Sequence, residues 1–418
     1  MTYPSHTHFL SNAVRPRTRI MSMDSPLRIV FFSDVYAPQV NGVAVSLQLL
    51  AGCLRTAGHE VTIFAPRFPG YRDPEPNVYR VPAVRVMHTP PIYVALPATP
   101  RTTLALRRCR FDVIHSHSPL SLGMLAYGAA SAKDVPLVYT YHTSIADYTH
   151  YLKVGGQSRP IRWAARWFSA TTTNLGDHIV VPSAKFKRVL LEQNVRRPIR
   201  TIPNGIDLGN FHEPKSPGLF RQQLGLNSEA PLLLYVGRVD PEKRIDFLIE
   251  AFTRVAAARP DAHLVVAGDG SARRALEGQA AESGCGQRIH FLGMVKRSDL
   301  PGLLHDADLF LSASTSETQC LAMVEAIAAG LPVVAVWDEA FEGILADSVN
   351  GRTAPREAGA FGGVVNSLLA DPATLKAFGG ASVKLSWKFS VEAQATAVVE
   401  LYREAILKNH WRLARSKR

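Results

Sequence analysis

Two carboxylates stand eight residues apart in "SETQCLAMVEAI", residues 316–327: Glu317 and Glu325. Small polar residues precede the first, and an apolar run lies between the two. Were the whole stretch helical, eight residues would span about 12 Å on roughly one face. The better reading puts Glu317 in a loop and Glu325 inside a helix that starts near Thr318. Two glycosidase carboxylates must flank one bond at about 5–9.5 Å, so this pair suits a long ligand better. Each end could accept from hydroxyls, while the helix N-terminus between them receives negative charge. A nucleotide sugar has that order of groups: ribose, diphosphate, hexose. A solvated helix with a capping acid is the plain alternative.

Other residues could share such a ligand. "GRVDPEKRID" sets Arg238 after an apolar strand and Lys243 five residues on. Two cations at a strand's carboxyl end suit a diphosphate, although Glu242 and Asp246 could simply pair with them. Asn41-Gly42, directly before a helical pattern, could offer backbone N–H groups to a phosphate. His142, in "YTYHTSIADYTHY", ends another strand, with Asp147, Tyr148 and His150 close behind. "AGDGS" (267–271) is a tight turn and not a dinucleotide fingerprint. "HSH" (115–117) has no third partner at metal spacing and reads as structural.

These residues need a scaffold. "LRIVFFSDVYAPQVNGVAVSLQLLAGCLRTAGHEVTIFAP" reads as strand 27–32, loop 33–42, helix 43–57 and strand 61–65, a βαβ unit. "FDVIHSHSP", "VPLVYTYHT" and "HIVVPSAKFKRVLLEQ" continue it. The pattern restarts at "APLLLYVGRVDPEKRIDFLIEAFTRVAAARP" and runs on through "AHLVVAGDG", "RIHFLGMV", "ADLFLSAST" and "LPVVAV". The expected fold class is therefore α/β: two doubly wound parallel sheets in tandem, facing across a cleft. Expected units are a disordered tail or over-extended start over 1–26, with Met21 or Met23 as the true beginning, a first domain over 27–203, a second over 204–389, and a closing segment over 390–418. In that segment 390–407 reads as a helix packing back on the first domain, followed by a basic tail. The junction is "IPNGIDLGNF" (202–211), with Asn-Gly turn chemistry.

Length and composition agree with this. At 418 residues the chain is long for one core. No apolar run of about 18 residues offers a transmembrane helix, and the first 26 residues hold no signal-peptide block. Four cysteines without CxxC spacing argue against a disulfide framework or a zinc site and suit a reducing cytoplasm. The charge is uneven. Residues 1–203 hold 24 of the 47 Lys and Arg and 10 of the 35 Asp and Glu, a balance of +14; the remaining 23 bases meet 25 acids, a balance of −2.

In order along the chain, "NGV", "YHT", "VVPSAKFKRVL", "IPNGID", "YVGRVDPEKRID", "VAGDG", "FLGMV" and "DLFLSASTSETQCLAMVEAIAAGLPVVAV" resemble the retaining glycosyltransferases of glycosyltransferase family 4, which have the two-Rossmann GT-B fold. The resemblance runs from about residue 27 to 405. It implies that Gly42 and its neighbours receive the diphosphate from the first domain, and that Arg238 and Lys243 grip it from the second. It further implies that Glu325 binds the donor ribose, Glu317 the sugar hydroxyls, and the backbone near Cys320 and Leu321 the phosphate. His142 would lie over the donor sugar. Where the family often has Gly, this chain has Cys320, which leaves the backbone donors in place.

"FFSDVYAPQVNGVAVS", "YHTSIADYTHYL" and "RTIPNGIDL" look more narrowly like the bacterial α-monoglucosyldiacylglycerol synthases. That likeness implies a glycolipid-forming hexosyltransferase, with glucose transferred to a lipid such as diacylglycerol in α-linkage. Asp147, Tyr148 and His150 would lie toward the acceptor. Related mannosyltransferases share much of the pattern, and a mannosyl- or galactosyltransferase acting on another lipid is the alternative. Charge argues independently for a lipid acceptor. Residues 153–200 carry ten bases, among them Arg159, Arg162 and Arg166, against Asp177 and Glu192 only, with Trp163 and Trp167 interleaved. Such a segment suits an anionic membrane surface; a basic face with its aromatics in the core is the alternative. Nucleic acid would answer the charge too, but no reader motif is present, so no nucleic-acid partner is expected. No DxD-like pair stands out for a metal, so no metal and no cofactor are expected beyond the donor substrate, a UDP-sugar or alternatively a GDP-sugar. The expected place is the cytoplasm, peripherally on the inner face of the cell membrane. The rivals are a soluble or polysaccharide acceptor, a hydrolase or isomerase on the same fold, and a binding-only module.

Overall fold

The structure, a computed structural model, describes residues 25–39, 41–88, 91–97, 99–142, 159–213, 217–314 and 316–416, with the backbone alone at 87–88, 91–92, 159–162 and 416. The expected tail lies almost wholly outside these residues. So do Asp147, Tyr148 and His150, and the side chains of Arg159 and Arg162.

Two parallel sheets organise the chain. The first takes β1 (Arg28–Phe32), β2 (Glu60–Pro66), β3 (Val78–Val81), β6 (Val113–Ser116), β7 (Leu137–Thr140), β8 (His178–Val181) and β9 (Ile199–Thr201) in the order β3-β2-β1-β6-β7-β8-β9. β4 (Ala83–His88) and β5 (Pro91–Ala95) form a separate antiparallel hairpin. The second sheet takes β10 (Leu232–Val236), β11 (His263–Ala267), β12 (Ile289–Gly293), β13 (Leu309–Ser312), β14 (Val333–Val336) and β15 (Gly351–Ala354) in the order β12-β11-β10-β13-β14-β15. Central strands such as "LLLYV", and "RIVFF" after its first residue Arg28, form near-continuous buried runs because helices cover both faces of each sheet.

In each sheet the strand order reverses once, between β1 and β6 and between β10 and β13. Loops leaving the carboxyl ends of two such neighbours diverge to opposite faces and open a crevice between them. The reversals therefore place segment 33–39 beside Ser118 in the first domain, where the Asp34 N–H donates to Ser118 Oγ, and loop 237–244 beside segment 316–320 in the second.

The last helix, Val391–Ser416, leaves the second domain and returns to the first. Its Val398, Leu401 and Tyr402 share a buried cluster with Leu47, Leu50 and Leu54 of the first helix, Gly42–Thr56. It runs beyond the expected end at 407. Asn409 donates to the Asp134 carbonyl at 2.6 Å, and Arg412 lies 3.8 Å from Asp177, so the first domain holds the added turns in place. At the crossing Gly205 has no alternative: a Cβ there would sit 2.5 Å from the Val391 Cα.

Candidate functional site

Two helix N-termini meet across the cleft. Asn41 caps the first helix, its side chain accepting from the Ala44 N–H at 3.0 Å, and Gly42 is the first helical residue. Opposite it, helix Leu321–Ala328 starts after Cys320. A Cβ on Gly42 would lie 3.4 Å from Leu321 Cδ1, so the two helix starts are direct neighbours. The first turn of a helix leaves N–H groups without intrahelical partners, so two adjoining helix starts favour a multiply charged anion.

The second domain adds charge to the same place. Lys243 Nζ donates to Glu317 Oε1 at 2.6 Å, with side chains 12% and 13% exposed. Burial alone would lower the Lys243 pKa, but the Glu317 carboxylate outweighs it and the net shift is upward. Arg238 lies against Asp240 and donates to Glu242 at 2.8 Å. The expected pairing with Glu242 is therefore present, whereas Asp246 pairs with Arg244. "AGDGS" is the tight turn expected of it. A Cβ on Gly268 would lie 1.8 Å from the Gly237 carbonyl, and Ser271 donates to Asp240 from N–H and Oγ.

Glu325 lies within the helix and is 4% exposed, facing Arg297. Burial raises its pKa, against the pull of Arg297. Arg297 was not singled out in the sequence; it is 28 residues from its partner, with no local pattern to mark it. The helix begins at Leu321 rather than near Thr318 because Gln319 is drawn aside. Its Oε1 accepts from the Asn204 N–H at 2.7 Å and its Nε2 donates to the Asn204 carbonyl at 3.1 Å. Ser46 of the first helix in turn donates to Asn204 Oδ1 at 3.2 Å. One polar chain therefore links both helices through the junction. Cys320 is buried, and burial pushes its thiol pKa up, which makes it a small apolar plug rather than a nucleophile.

His142, at the end of β7, shares a hydrogen bond of 3.0 Å between its Nε2 and His117 Nδ1. Burial lowers the His142 pKa to about 4. His115 is structural, as read: Nδ1 meets the Tyr402 hydroxyl at 2.5 Å and Nε2 meets Thr140 Oγ1 at 2.6 Å. Among the described residues no group of three metal-ligating side chains comes together. A second bridge between domains joins Lys185 to the nearly buried Asp338 at 2.7 Å.

Helix Arg159–Thr173 shows an apolar face to solvent. Trp163 is 68% and Trp167 60% exposed, so these rings are not in the core. Arg166, Lys187, Arg196 and Arg197 are exposed. On helix Ser121–Lys133, Met124 and Tyr127 are also exposed.

Known proteins share this design. The family profile described as Glycosyltransferase Family 4 matches residues 40–210, and Glycosyl transferases group 1 matches residues 218–384. An alpha-monoglucosyldiacylglycerol synthase of Streptococcus pneumoniae is 32% identical over 92% of this chain and 87% of its own length. The chain belongs to glycosyltransferase family 4. It is a glycosyltransferase with the GT-B fold. A GDP-mannose-dependent alpha-mannosyltransferase of Mycolicibacterium smegmatis is 30% identical over 74% of this chain and 79% of its own. An Anabaena protein solved in complex with UDP-glucose superposes with a TM-score of 0.70 at 19% identity, covering 90% of this chain and 100% of the other. Among the described residues no helix of this glycosyltransferase is long and apolar enough to cross a membrane.

Proposed function

We propose that this glycosyltransferase moves glucose from UDP-glucose to a membrane lipid, diacylglycerol, with retention at the anomeric carbon. The observation that carries the donor half is the meeting of the Gly42 and Leu321 helix starts beside Lys243. There the diphosphate lies between two sets of N–H donors, with Arg238 leaving its acidic partners to grip it. Glu325 accepts from the ribose hydroxyls, and Glu317 orients the hexose. His142 lies over the sugar. The second domain, 204–389, holds the donor; the first, 27–203, presents the acceptor; and 390–418 ties them together.

In the transfer the bond from the anomeric carbon to the phosphate oxygen breaks, and its electron pair stays on the diphosphate. The acceptor oxygen bonds to that carbon on the same face, and its proton passes to the departing phosphate oxygen. Lys243, Arg238 and the two helix starts stabilise charge where it develops. Because these groups supply the positive charge, the reaction runs in the presence of a chelator.

The relatives named for glucosyldiacylglycerol synthesis support the lipid acceptor, and so does the exposed Trp163–Trp167 face among arginines. This face seats the enzyme peripherally on the anionic inner surface of the cell membrane. Mannose from a GDP-sugar, or a different acceptor, is the second reading, favoured by the mannosyltransferase relative.

The test is incubation with anionic liposomes containing diacylglycerol and UDP-glucose, UDP-galactose or GDP-mannose in turn, with chelator, followed by mass spectrometry of the lipids. A glucosyl-diacylglycerol is the expected product. A mannosyl lipid would support the second reading. Donor consumption without any lipid product would overturn the lipid acceptor.

A further inference from the structure

His117 is buried among rings. Its centroid lies 4.8 Å from that of Phe31 and 3.9 Å from that of His115. Its Nε2 is buried and, among the described residues, has no hydrogen-bond partner. Its Nδ1 is 3.0 Å from His142 Nε2, and one proton lies between them.

Two arrangements of neutral rings satisfy that contact. If His142 donates, the proton of His117 must sit on Nε2, as a buried N–H with no acceptor. If His117 donates from Nδ1, its Nε2 is a bare lone pair in the same place. Buried donors without partners are the rarer defect, so the second arrangement wins. Burial and the neighbouring His115 also oppose a charged His117. The second nitrogen of an imidazole is set by the bond the first one makes. With its Nε2 lone pair engaged, His142 must carry its own proton on Nδ1.

We propose that His117 is a positioning residue that holds His142 as the Nδ1–H tautomer, so that His142 offers the donor sugar a hydrogen-bond donor and no lone pair. This rests on the reading of the cleft as the donor site. It has a chemical consequence: His142 cannot take the acceptor's proton, because its one basic nitrogen faces His117. The proton must leave by the departing phosphate oxygen. His142 instead selects for a sugar oxygen that can accept.

The tautomer is read by two-bond proton–nitrogen correlation of the histidine rings in the full chain without substrate, with His142→Phe to assign the signal. The expected result is a protonated Nδ1 and a bare Nε2 on His142. His117→Phe keeps the ring shape and removes the bond. His142 then shifts toward the Nε2–H form, and kcat falls on the order of tenfold or more while the donor KM stays within about twofold. His117→Asn puts an amide N–H near the former Nδ1–H and restores both the tautomer and most of kcat. An Nε2–H form of His142 in the unaltered protein overturns the proposal, and so does His117→Phe with tautomer and kcat unchanged. The correlation needs no substrate, so a failure of the lipid-transfer reading would leave it legible.

Discussion

Lys243 Nζ and Glu317 Oε1 lie 2.6 Å apart and almost out of solvent, although the residues are 74 positions apart in the chain. The pair joins the loop after β10 to the loop after β13, the two loops that the strand reversal opens. Removing one partner leaves a buried charge uncompensated, which costs about 3–5 kcal/mol. Lys243→Met is therefore expected to lower both transfer and stability. Lys243→Met combined with Glu317→Gln should recover much of the stability and none of the activity. Thermal unfolding beside kcat/KM separates the two effects; the loss of rate should be about 10²-fold or more.

Glu325 and Arg297 make a second such contact, with Glu325 the buried partner. Glu325→Gln keeps the shape and removes the charge. If Glu325 holds the ribose, the donor KM should rise by about 10-fold or more, the worth of a hydrogen bond to a charged group. Uridine diphosphate titration by calorimetry checks this without any acceptor. Unchanged affinity would remove Glu325 from the donor site.

Gly205→Ala tests the crossing of the junction with the last helix. The added methyl would lie 2.5 Å from the Val391 Cα and 2.7 Å from the Ser390 carbonyl, both backbone atoms. Overpacking of this kind costs about 1–3 kcal/mol. A lower unfolding midpoint is expected, and because the same residues connect the domains, transfer should fall with it.

The histidine cluster sets a pH dependence. Burial holds His142 at about 4, below its usual 6.5, and lowers His115 and His117 as well. Between these values the unfolded rings bind protons that the folded rings do not. Stability should thus fall as pH drops from 6.5 towards 4 and be level with respect to these groups above 6.5. Unfolding midpoints across this range show it, and His142→Gln should flatten part of the slope. No inflection near pH 6.5 from His142 is expected in the rate.

Trp163→Ala and Trp167→Ala remove the most exposed rings of the Arg159–Thr173 helix. Each should weaken partition onto anionic vesicles by about tenfold, for roughly 1.5 kcal/mol of lost burial. Donor affinity should be unchanged. Raised salt should weaken binding of the unaltered protein as well. Equal flotation by all the proteins would show that this face is not the one that meets the bilayer.

Much of the fold was legible because continuous apolar strands and interposed helices repeat locally. The positions of Glu317, Lys243 and Gly42 after strand ends were legible for the same reason, although Gly42 proves to be the first residue of its helix and not the last of the loop. What escaped was made by distance. Tyr402 reaches His115 across 287 residues, Gln319 reaches Asn204 across 115, and Lys185 reaches Asp338 across 153. No period or spacing marks such pairs. The helix start at Leu321 was misplaced by three residues because the Gln319–Asn204 contact competes with local helix formation. The hairpin of β4 and β5 and the edge strands β3, β9 and β15 were not read, being short and weakly patterned. Trp163 and Trp167 carried both readings, core and surface, until their exposure decided it.

The return of the last helix to the first sheet also orders events during synthesis. Leu47, Leu50 and Leu54 emerge from the ribosome early, yet the residues that cover them, Val398, Leu401 and Tyr402, are among the last made. His115 likewise waits for the Tyr402 hydroxyl. For most of translation the nascent first half must carry an uncovered apolar strip, a natural landing place for a chaperone. A fragment ending near residue 203 would keep that strip for good and should be recovered as aggregate, whereas the same fragment supplied with the 391–416 peptide should become soluble.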